Sequence, residues 1–313
     1  VIQPVLSRWF FDLILIIHIP EGRKRYQRRM WKLIGTVEEK WEIVTRTENN
    51  GEAILPDIAA TILAKIEEKK IDKAEVAGVG IGVPGPVEET GEIPCAVNLH
   101  WGRKNIEKEL RDLTGLAVKA GNDANVAALG EMWKGGGQGA KNLILVTLGT
   151  GVGGGIIVNE KIVTGAHGAG GEIGHAFVNP AETKACNCGN KGCLEQYASA
   201  TGIARLAKEA LESETEDSVL RTVKNISAKS VFDAYKEGDV LAGKIVDKFA
   251  AYLGNALAVF ACVSDPDVFV IGGGVSKAGQ VLIDAVEKYY KAHAFTASKE
   301  TPIKLATLGN DAG

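Results

Sequence analysis

The sequence predicts an α/β protein, and three observations carry that reading. Short apolar runs of strand length alternate with amphipathic helical stretches. Two of those runs end in glycine-rich loops that open toward helices. Glycine itself, at 38 of 313 residues, exceeds its usual share of about 7%. Sixteen of these glycines fall between Gly135 and Gly192, so the middle of the chain is where backbone is expected to take positive φ or to touch a ligand.

From Lys40 onward the elements follow in order. Residues 54–68 carry apolar side chains at helical spacing. Residues 76–83 read as a buried strand ending in the turn Pro84-Gly85-Pro86. A short helix is expected over 105–113, a strand over 117–120, and a helix over 123–133 capped by Asn122 or Asp123. Residues 143–148 form a second buried strand running into Gly149-Thr150-Gly151, and 156–163 a hairpin turning at Asn159-Glu160. Residues 199–212 and 229–260 read as mostly helical. A third buried strand, 268–271, runs into Gly272-Gly273-Gly274, followed by an amphipathic helix over 276–292 and a last strand over 303–306. No repeat and no low-complexity linker is evident. In layered sheets of this kind ligands sit beyond the carboxyl ends of the strands.

Composition excludes several classes. The chain is 45% apolar and 24% charged with a net charge of −3, which fits neither long-range disorder nor a basic nucleic-acid-binding domain. The apolar run at residues 9–19 contains Asp12 and His18 and is shorter than the ~20 residues a membrane span requires. Its basic cluster follows the run rather than preceding it, unlike a signal peptide. Neither a membrane nor a nucleic acid is therefore an expected partner. Cys186, Cys188 and Cys193 lie within eight residues of one another, and the total of five cysteines is odd. That pattern fits a reducing, cytoplasmic setting with a metal cluster better than a secreted disulfide framework. Cys95 and Cys262 read as ordinary core thiols.

Four motifs carry chemistry. The first is Thr147-Leu148-Gly149-Thr150-Gly151-Val152-Gly153-Gly154-Gly155, the end of the second buried strand and the loop that follows it. It is either a tight hairpin or a ring of backbone N–H groups around an anion, with the Thr147 and Thr150 hydroxyls as further donors. The second is Gly272-Gly273-Gly274-Val275, either a helix-capping turn or bare backbone on which a flat ring or a phosphate can rest. The third, Gly121-Asn122-Asp123-Ala124-Asn125, places a carboxylate at a helix start. Asp123 is then a plain cap, or a general base kept ionised by the helix dipole among amides suited to a polyol. The fourth joins His175 to Cys186, Cys188 and Cys193. One imidazole and three thiolates make a closed tetrahedral set, which is the donor set of a structural zinc. Gly189 and Gly192 permit the bends between ligands. Glu172 lies three residues before His175 and Glu195 two after Cys193, so the metal is expected to fix both carboxylates without entering the reaction.

Together GNDANVAALGE, TLGTGVGGG, GEIGH, CNCGNKGCLEQYAS and IGGGVS resemble the ROK family of repressors, uncharacterised frames and sugar kinases, and within it the bacterial ATP-dependent glucokinase branch. The resemblance runs from about Lys40 to Gly313. It implies a two-lobed sugar-kinase/actin-like ATPase fold with substrates in a cleft between the lobes. The implied boundaries are an N-terminal α/β lobe over 1–120, a C-terminal α/β lobe with the zinc motif over 121–300, and a return toward the N-terminal lobe over 301–313. It further implies a homodimer that phosphorylates a hexose, glucose before N-acetylmannosamine or fructose, at the C6 hydroxyl. Asp123 is then the base, and Asn98, Asn122, Asp123, Glu172, His175 and Glu195 hold the sugar. Thr147, Gly149, Thr150, Gly151 and Gly153 hold the ATP phosphates, Gly272, Gly273, Gly274 and Val275 the adenosine side. Mg2+ accompanies ATP, and His175, Cys186, Cys188 and Cys193 hold Zn2+.

The opening of the chain departs from the family. Relatives begin with a strand and an Asp-Ile/Leu-Gly-Gly-Thr phosphate loop, and no such run stands in residues 1–40: the best fragment there lacks the preceding Asp and the second Gly. Gly35-Thr36 is the nearest fragment. This stretch is expected not to be the family's natural N-terminus, and reading the coding DNA in all three frames tests that expectation. If residues 1–40 do form the first hairpin of the N-terminal lobe, Asp12 and the basic residues between 23 and 29 must lie at the surface, since buried unpaired charge is costly. Two other functions compete with the kinase. A sugar-responsive repressor of the same family carries a helix-turn-helix domain ahead of the kinase-like part, and no such pattern precedes the match. A sugar-binding protein without catalysis is the other.

Overall fold

Alternating apolar runs and helices build two five-stranded sheets, each the centre of its own unit. The computed structural model describes residues 13–18, 25–32, 36–94, 96, 99–309 and 312. Its first unit extends through Ala127 and includes Thr164–Gly170, and its second comprises Ala128–Val163 with Gly171–Ala312.

In the first unit the strand order is β3-β2-β1-β4-β7. Strands β1 (Leu13–His18), β2 (Arg25–Lys32) and β3 (Thr36–Val44) form an antiparallel meander. Strand β1 also pairs in parallel with β4 (Val76–Val83), which pairs in parallel with β7 (Val118–Asn122). The first hairpin is thus built from the atypical segment: the apolar run supplies β1. Asp12 and the basic side chains between 23 and 29 lie outside what is described. Helix α1 (Ile54–Glu68) places Ile54, Leu55, Ile58, Ile62 and Ile66 on one face and buries them against Val79, Ile81 and Val83 of β4, beside Ile106 and Leu110 of helix α2 (Ile106–Thr114). Each such side chain taken out of water contributes about 1.5–3 kcal/mol. Two-residue strands β5 (Glu92–Ile93) and β6 (Lys104–Asn105) close a small ribbon.

The second unit repeats the plan. Its order is β10-β9-β8-β11-β12, with β8 (Leu143–Leu148), β9 (Val152–Val158) and β10 (Lys161–Ile162) antiparallel and β11 (Val268–Gly272) parallel to both β8 and β12 (Ile303–Leu305). Three antiparallel strands followed by two parallel ones occur in both sheets, a structural repeat that the residue letters conceal. The turn at Asn159 and Glu160 forms as expected, with φ of 51° and 62°. Helix α3 (Asp123–Lys134) precedes β8, and α4 (Glu195–Ala198), α5 (Ala200–Ser213), α6 (Ala228–Lys236), α7 (Val240–Ser264) and α8 (Gln280–His293) complete the unit. The predicted helix over 276–292 is divided: a 3-10 turn occupies Gly274–Ala278, and Gly279, at φ 81°, separates it from α8.

Helix α7 is long and apolar enough to cross a membrane, but Leu253, Leu257 and Phe249 are fully buried in this unit's core with Phe269 and Tyr290. Cys262, expected in the core, is exposed instead, because it falls on the solvent-facing stripe of α7 with Asn255, Val259 and Val263. Cys95 lies outside the described residues.

The division between units falls inside α3, seven residues beyond the expected 120/121 boundary, and residues 301–312 pack in the second unit. Two things hold that tail there. β12 extends the sheet beyond β11. The buried Glu131 carboxylate accepts the backbone N–H groups of Gly136 (2.7 Å), Thr307 (3.1 Å) and Leu308 (2.9 Å).

Candidate active site and metal cluster

In the first unit the candidate base stands at a strand end. β7 finishes at Asn122, which is in register with Val83, the last residue of β4, and α3 starts at Asp123. Asn122 caps the helix: its Oδ1 accepts from Asn125 N (3.1 Å) and its Nδ2 donates to Gly85 O (3.1 Å). An amide has two donors and two acceptor lone pairs, so one of each remains for a ligand. The Asp123 carboxylate accepts from Ala124 N at 2.8 Å, which orients it at the helix start. Asn125 is 5% exposed, and its Oδ1 has no hydrogen-bond partner among the described residues. A buried amide oxygen left unpaired is costly unless a ligand or water completes it. Asn98 lies outside the described residues. The neighbouring Trp101 is buried and donates Nε1–H to Gly51 O at 3.1 Å, which ties down the segment that follows Asn98.

In the second unit the glycine run divides into a turn and a strand. Residues 149–151 connect β8 to β9, with Gly149 N donating to Gly151 O (3.0 Å). Gly153 is in register with Thr147 and Gly154 with Val146, inside the β8–β9 ladder. Gly154 must be glycine there because a Cβ would come within 2.4 Å of Ile173 and 2.7 Å of Gly171 O. The segment bearing Glu172 and His175 therefore lies directly on β9, with Ile173 buried and Glu172 and His175 exposed on either side of it. Gly272 at the end of β11 is in register with Thr147, so the two glycine turns lie side by side. Val275 is 4% exposed and serves as core.

His175, Cys186, Cys188 and Cys193 converge. Their ligating atoms all lie within 4.8 Å of one another, with His175 Nδ1 3.8 Å from Cys186 Sγ and Cys188 Sγ 3.6 Å from Cys193 Sγ. A tetrahedron with ~2.3 Å metal–sulfur bonds has edges of about 3.7 Å, so the donors fit zinc in number, type and spacing. The bends form where expected, at Gly189 and Gly192. Burial and the adjoining Glu195 carboxylate push the Cys186 thiol up, and burial likewise raises Cys193. A bound dication reverses that by stabilising thiolates. His175 faces the cluster with Nδ1, which leaves Nε2 for a second partner. Glu195 sits at the junction: its Oε1 accepts from Cys186 Sγ at 2.9 Å, and its Oε2 lies 2.6 Å from where a Cβ on Gly151 would be.

Behind Glu195 lies a network that the motifs do not reveal. Tyr197 is buried, stacks on Tyr252 (4.0 Å between centroids) and donates to Glu182 Oε2 (2.6 Å). Arg205 pairs with Glu182 (2.9 Å) and lies over the Tyr197 ring. Burial opposes ionisation of Glu182, but the bonds from Tyr197, the Lys184 backbone and Arg205 outweigh it and hold the carboxyl at about 2. Burial first, and then the bond to the Glu182 carboxylate, push Tyr197 up to about 12 against the opposing pull of Asn179 and Arg205. Glu182 lies outside every motif, and only the folded chain brings it to Tyr197.

Comparison with known proteins agrees with this geometry. The sequence profile of the ROK family matches residues 27–313. A glucokinase from Halalkalibacterium halodurans is 44% identical over 284 residues, covering 89% of this chain and 86% of that protein. A crystal structure of a ROK family glucokinase from Streptomyces griseus, in complex with glucose and AMPPNP, superposes with a TM-score of 0.75 at 31% identity, covering 96% of both chains. A putative xylose repressor from a Caldicellulosiruptor species is 30% identical over 296 residues, covering 94% of this chain but 74% of the repressor.

Proposed function

The chain belongs to the ROK family, and from that premise we infer that it is an ATP-dependent hexose kinase phosphorylating the C6 hydroxyl of glucose. The observation that carries this is the 44% identity to a glucokinase across nine-tenths of the chain. The fold is the two-lobed sugar-kinase/actin-like ATPase fold of its structural neighbours.

In this reading the γ-phosphoryl group passes in line to the C6 oxygen while that hydroxyl gives its proton to the Asp123 carboxylate. The position of Asp123 at a strand's carboxyl end supports that role. Asn98, Asn122, Glu172, His175 and Glu195 hold the sugar hydroxyls, and each of the described residues among them has polar capacity left to do so. Amides and carboxylates that the bound sugar takes out of water reject epimers that leave one of them unpaired. The backbone of 149–151 takes the phosphates, with Thr147 and Gly153 bracing it from the ladder, and the turn at Gly272, Gly273 and Gly274 with Val275 takes the adenosine side. Mg2+ enters with ATP to neutralise its charge. Zn2+ held by His175, Cys186, Cys188 and Cys193 is structural, fixing Glu172 and Glu195. A cytoplasmic location follows from thiolate ligands and ATP use. A homodimer belongs to the same reading and is supported by Val259 and Val263, which α7 leaves 61% and 81% exposed.

A panel of sugars at fixed ATP and Mg2+, read by ADP release, tests the assignment. Glucose is expected to give the highest kcat/KM. A higher value for N-acetylmannosamine or fructose reassigns the substrate, and no ADP with any sugar leaves a binding protein. The xylose-repressor relative supports a second reading, which a DNA mobility shift responsive to sugar would reveal.

A further inference from the structure

We propose that Thr201 is a positioning residue for the nucleotide, a tether that sets which way the peptides of the 149–151 turn face; the proposal rests on the kinase reading above. The start of α5 grips this turn from one side. Ala200 N donates to Gly149 O at 2.8 Å, and Thr201 Oγ1 donates to Thr150 O at 2.6 Å. Thr201 Oγ1 also lies 2.9 Å from Ser199 Oγ, and with one proton on each hydroxyl, both directed at backbone carbonyls, that approach fixes position without being a further bond. Ser199 Oγ in turn donates to Glu195 O (2.6 Å) and accepts from Gly202 N (2.9 Å), which caps α5. The body of α5 is anchored through buried Ile203, Leu206 and Ala207, so the grip comes from a rigid element.

Peptide geometry then determines what the turn presents on its other side. The peptides here are trans, and in a planar trans peptide the C=O of one residue points opposite to the N–H of the next. With the carbonyls of Gly149 and Thr150 directed at α5, the N–H groups of Thr150 and Gly151 are directed away from it. Two successive N–H groups on one side, with their carbonyls turned to the other, form an anion-binding concavity. The peptide between Thr150 and Gly151 is held in this sense by a side-chain hydroxyl. Without that bond its flip would bring a carbonyl's partial negative charge to face a phosphate.

Thr201→Val keeps the shape and removes the hydroxyl, and Thr201→Ser keeps the hydroxyl. Thr201 is exposed, so both variants are expected to fold. The measurement is AMPPNP–Mg2+ affinity by calorimetry on the full chain without sugar, with kcat and the KM for ATP and for glucose alongside. T201V should weaken AMPPNP binding and raise the ATP KM by about three- to tenfold, leaving the glucose KM within about twofold. T201S should bind as the parent does. The tether is overturned if T201V binds AMPPNP like the parent, if T201S is as weak as T201V, or if the parent binds no nucleotide. A parent that phosphorylates no hexose while T201V still loses AMPPNP affinity would sink the kinase reading and support the tether.

Discussion

Asp123 owes its place to two neighbours: β7 stops at Asn122, and Ala124 N holds the carboxylate at the helix start. Asp123→Asn keeps that shape but cannot accept a proton. Phosphoryl transfer should fall by ~10²–10⁴ with glucose affinity retained, and a kcat close to the parent's would remove Asp123 from the role of base. Gly151 separates function from stability in another way. A Cβ there meets the far end of the Glu195 side chain, 2.6 Å away, which can swing aside. Gly151→Ala should therefore leave the thermal midpoint nearly unchanged, displace the carboxylate and raise the glucose KM several-fold. A large loss of stability with an unaltered KM would contradict this. At this scale the motifs were legible because chemistry restricts them to few residue types: an acid at a cap, thiols at metal spacing. Two things were not. The run Gly153-Gly154-Gly155 looked like loop but is strand, because what needs its bareness is the Ile173 segment lying across it. Asn125 reads in the motif as one of the amides suited to a polyol, but that its Oδ1 is buried with no partner among the described residues emerges only on folding.

The short helix α4 joins the cysteine cluster to the rest of the second unit, and two anchors hold it. One is the His175, Cys186, Cys188 and Cys193 cluster, for which zinc is proposed above. The other is the Glu182–Tyr197–Arg205 network. Removing zinc with a chelator, or changing Cys188 to Ser, should raise the glucose KM and lower the thermal midpoint while ATP affinity stays within about twofold, because α5 grips the phosphate turn from the core independently of the metal. Elemental analysis finding no zinc in protein purified without chelator would end this account. The second anchor is sensitive to pH. Glu182 is held at about 2 against an ordinary 4.5, so its contribution is fully present above 4.5 and lost as the pH falls toward 2. Glu182→Gln should lower the thermal midpoint near neutral pH, and the gap from the parent should narrow below about pH 5 and close only near pH 2. A gap that stays constant with pH would show that the charge is not what stabilises. Element positions were the most legible level, since Ile54–Glu68, Val76–Val83 and Leu143–Leu148 follow directly from apolar spacing. The division of the predicted 276–292 helix at Gly279 was hidden because a single glycine inside an amphipathic pattern does not by itself mark a break.

Both units share one sheet plan, yet no repeat shows in the letters, because a sheet core demands apolar residues at given positions and not particular ones. That tolerance explains how residues 13–32, without the family's opening motif, still supply the first hairpin: β1 needs only an apolar run beside β4. A phosphate loop has no such tolerance. Asp-Ile/Leu-Gly-Gly-Thr offers backbone N–H groups and a hydroxyl at set positions, and no apolar substitute makes those bonds. Fold and nucleotide affinity should therefore part company in this chain. In the proposed reading the 149–151 turn supplies one set of donors to the triphosphate, and residues 1–40 hold no Asp-Ile/Leu-Gly-Gly-Thr run to supply a second. Each charge-assisted hydrogen bond lost is worth about 1.5–3 kcal/mol, so the ATP KM should lie at least tenfold above that of a relative carrying the loop. The measurement is an exchange of residues 1–26, which precede the family match, for the equivalent segment of the Halalkalibacterium halodurans glucokinase. The exchange should lower the ATP KM by about tenfold or more while the glucose KM moves by less than about twofold, since the sugar ligands proposed here all lie beyond it. An ATP KM unmoved by the exchange would mean that the second unit alone carries the phosphates and that the opening loop is dispensable in this protein.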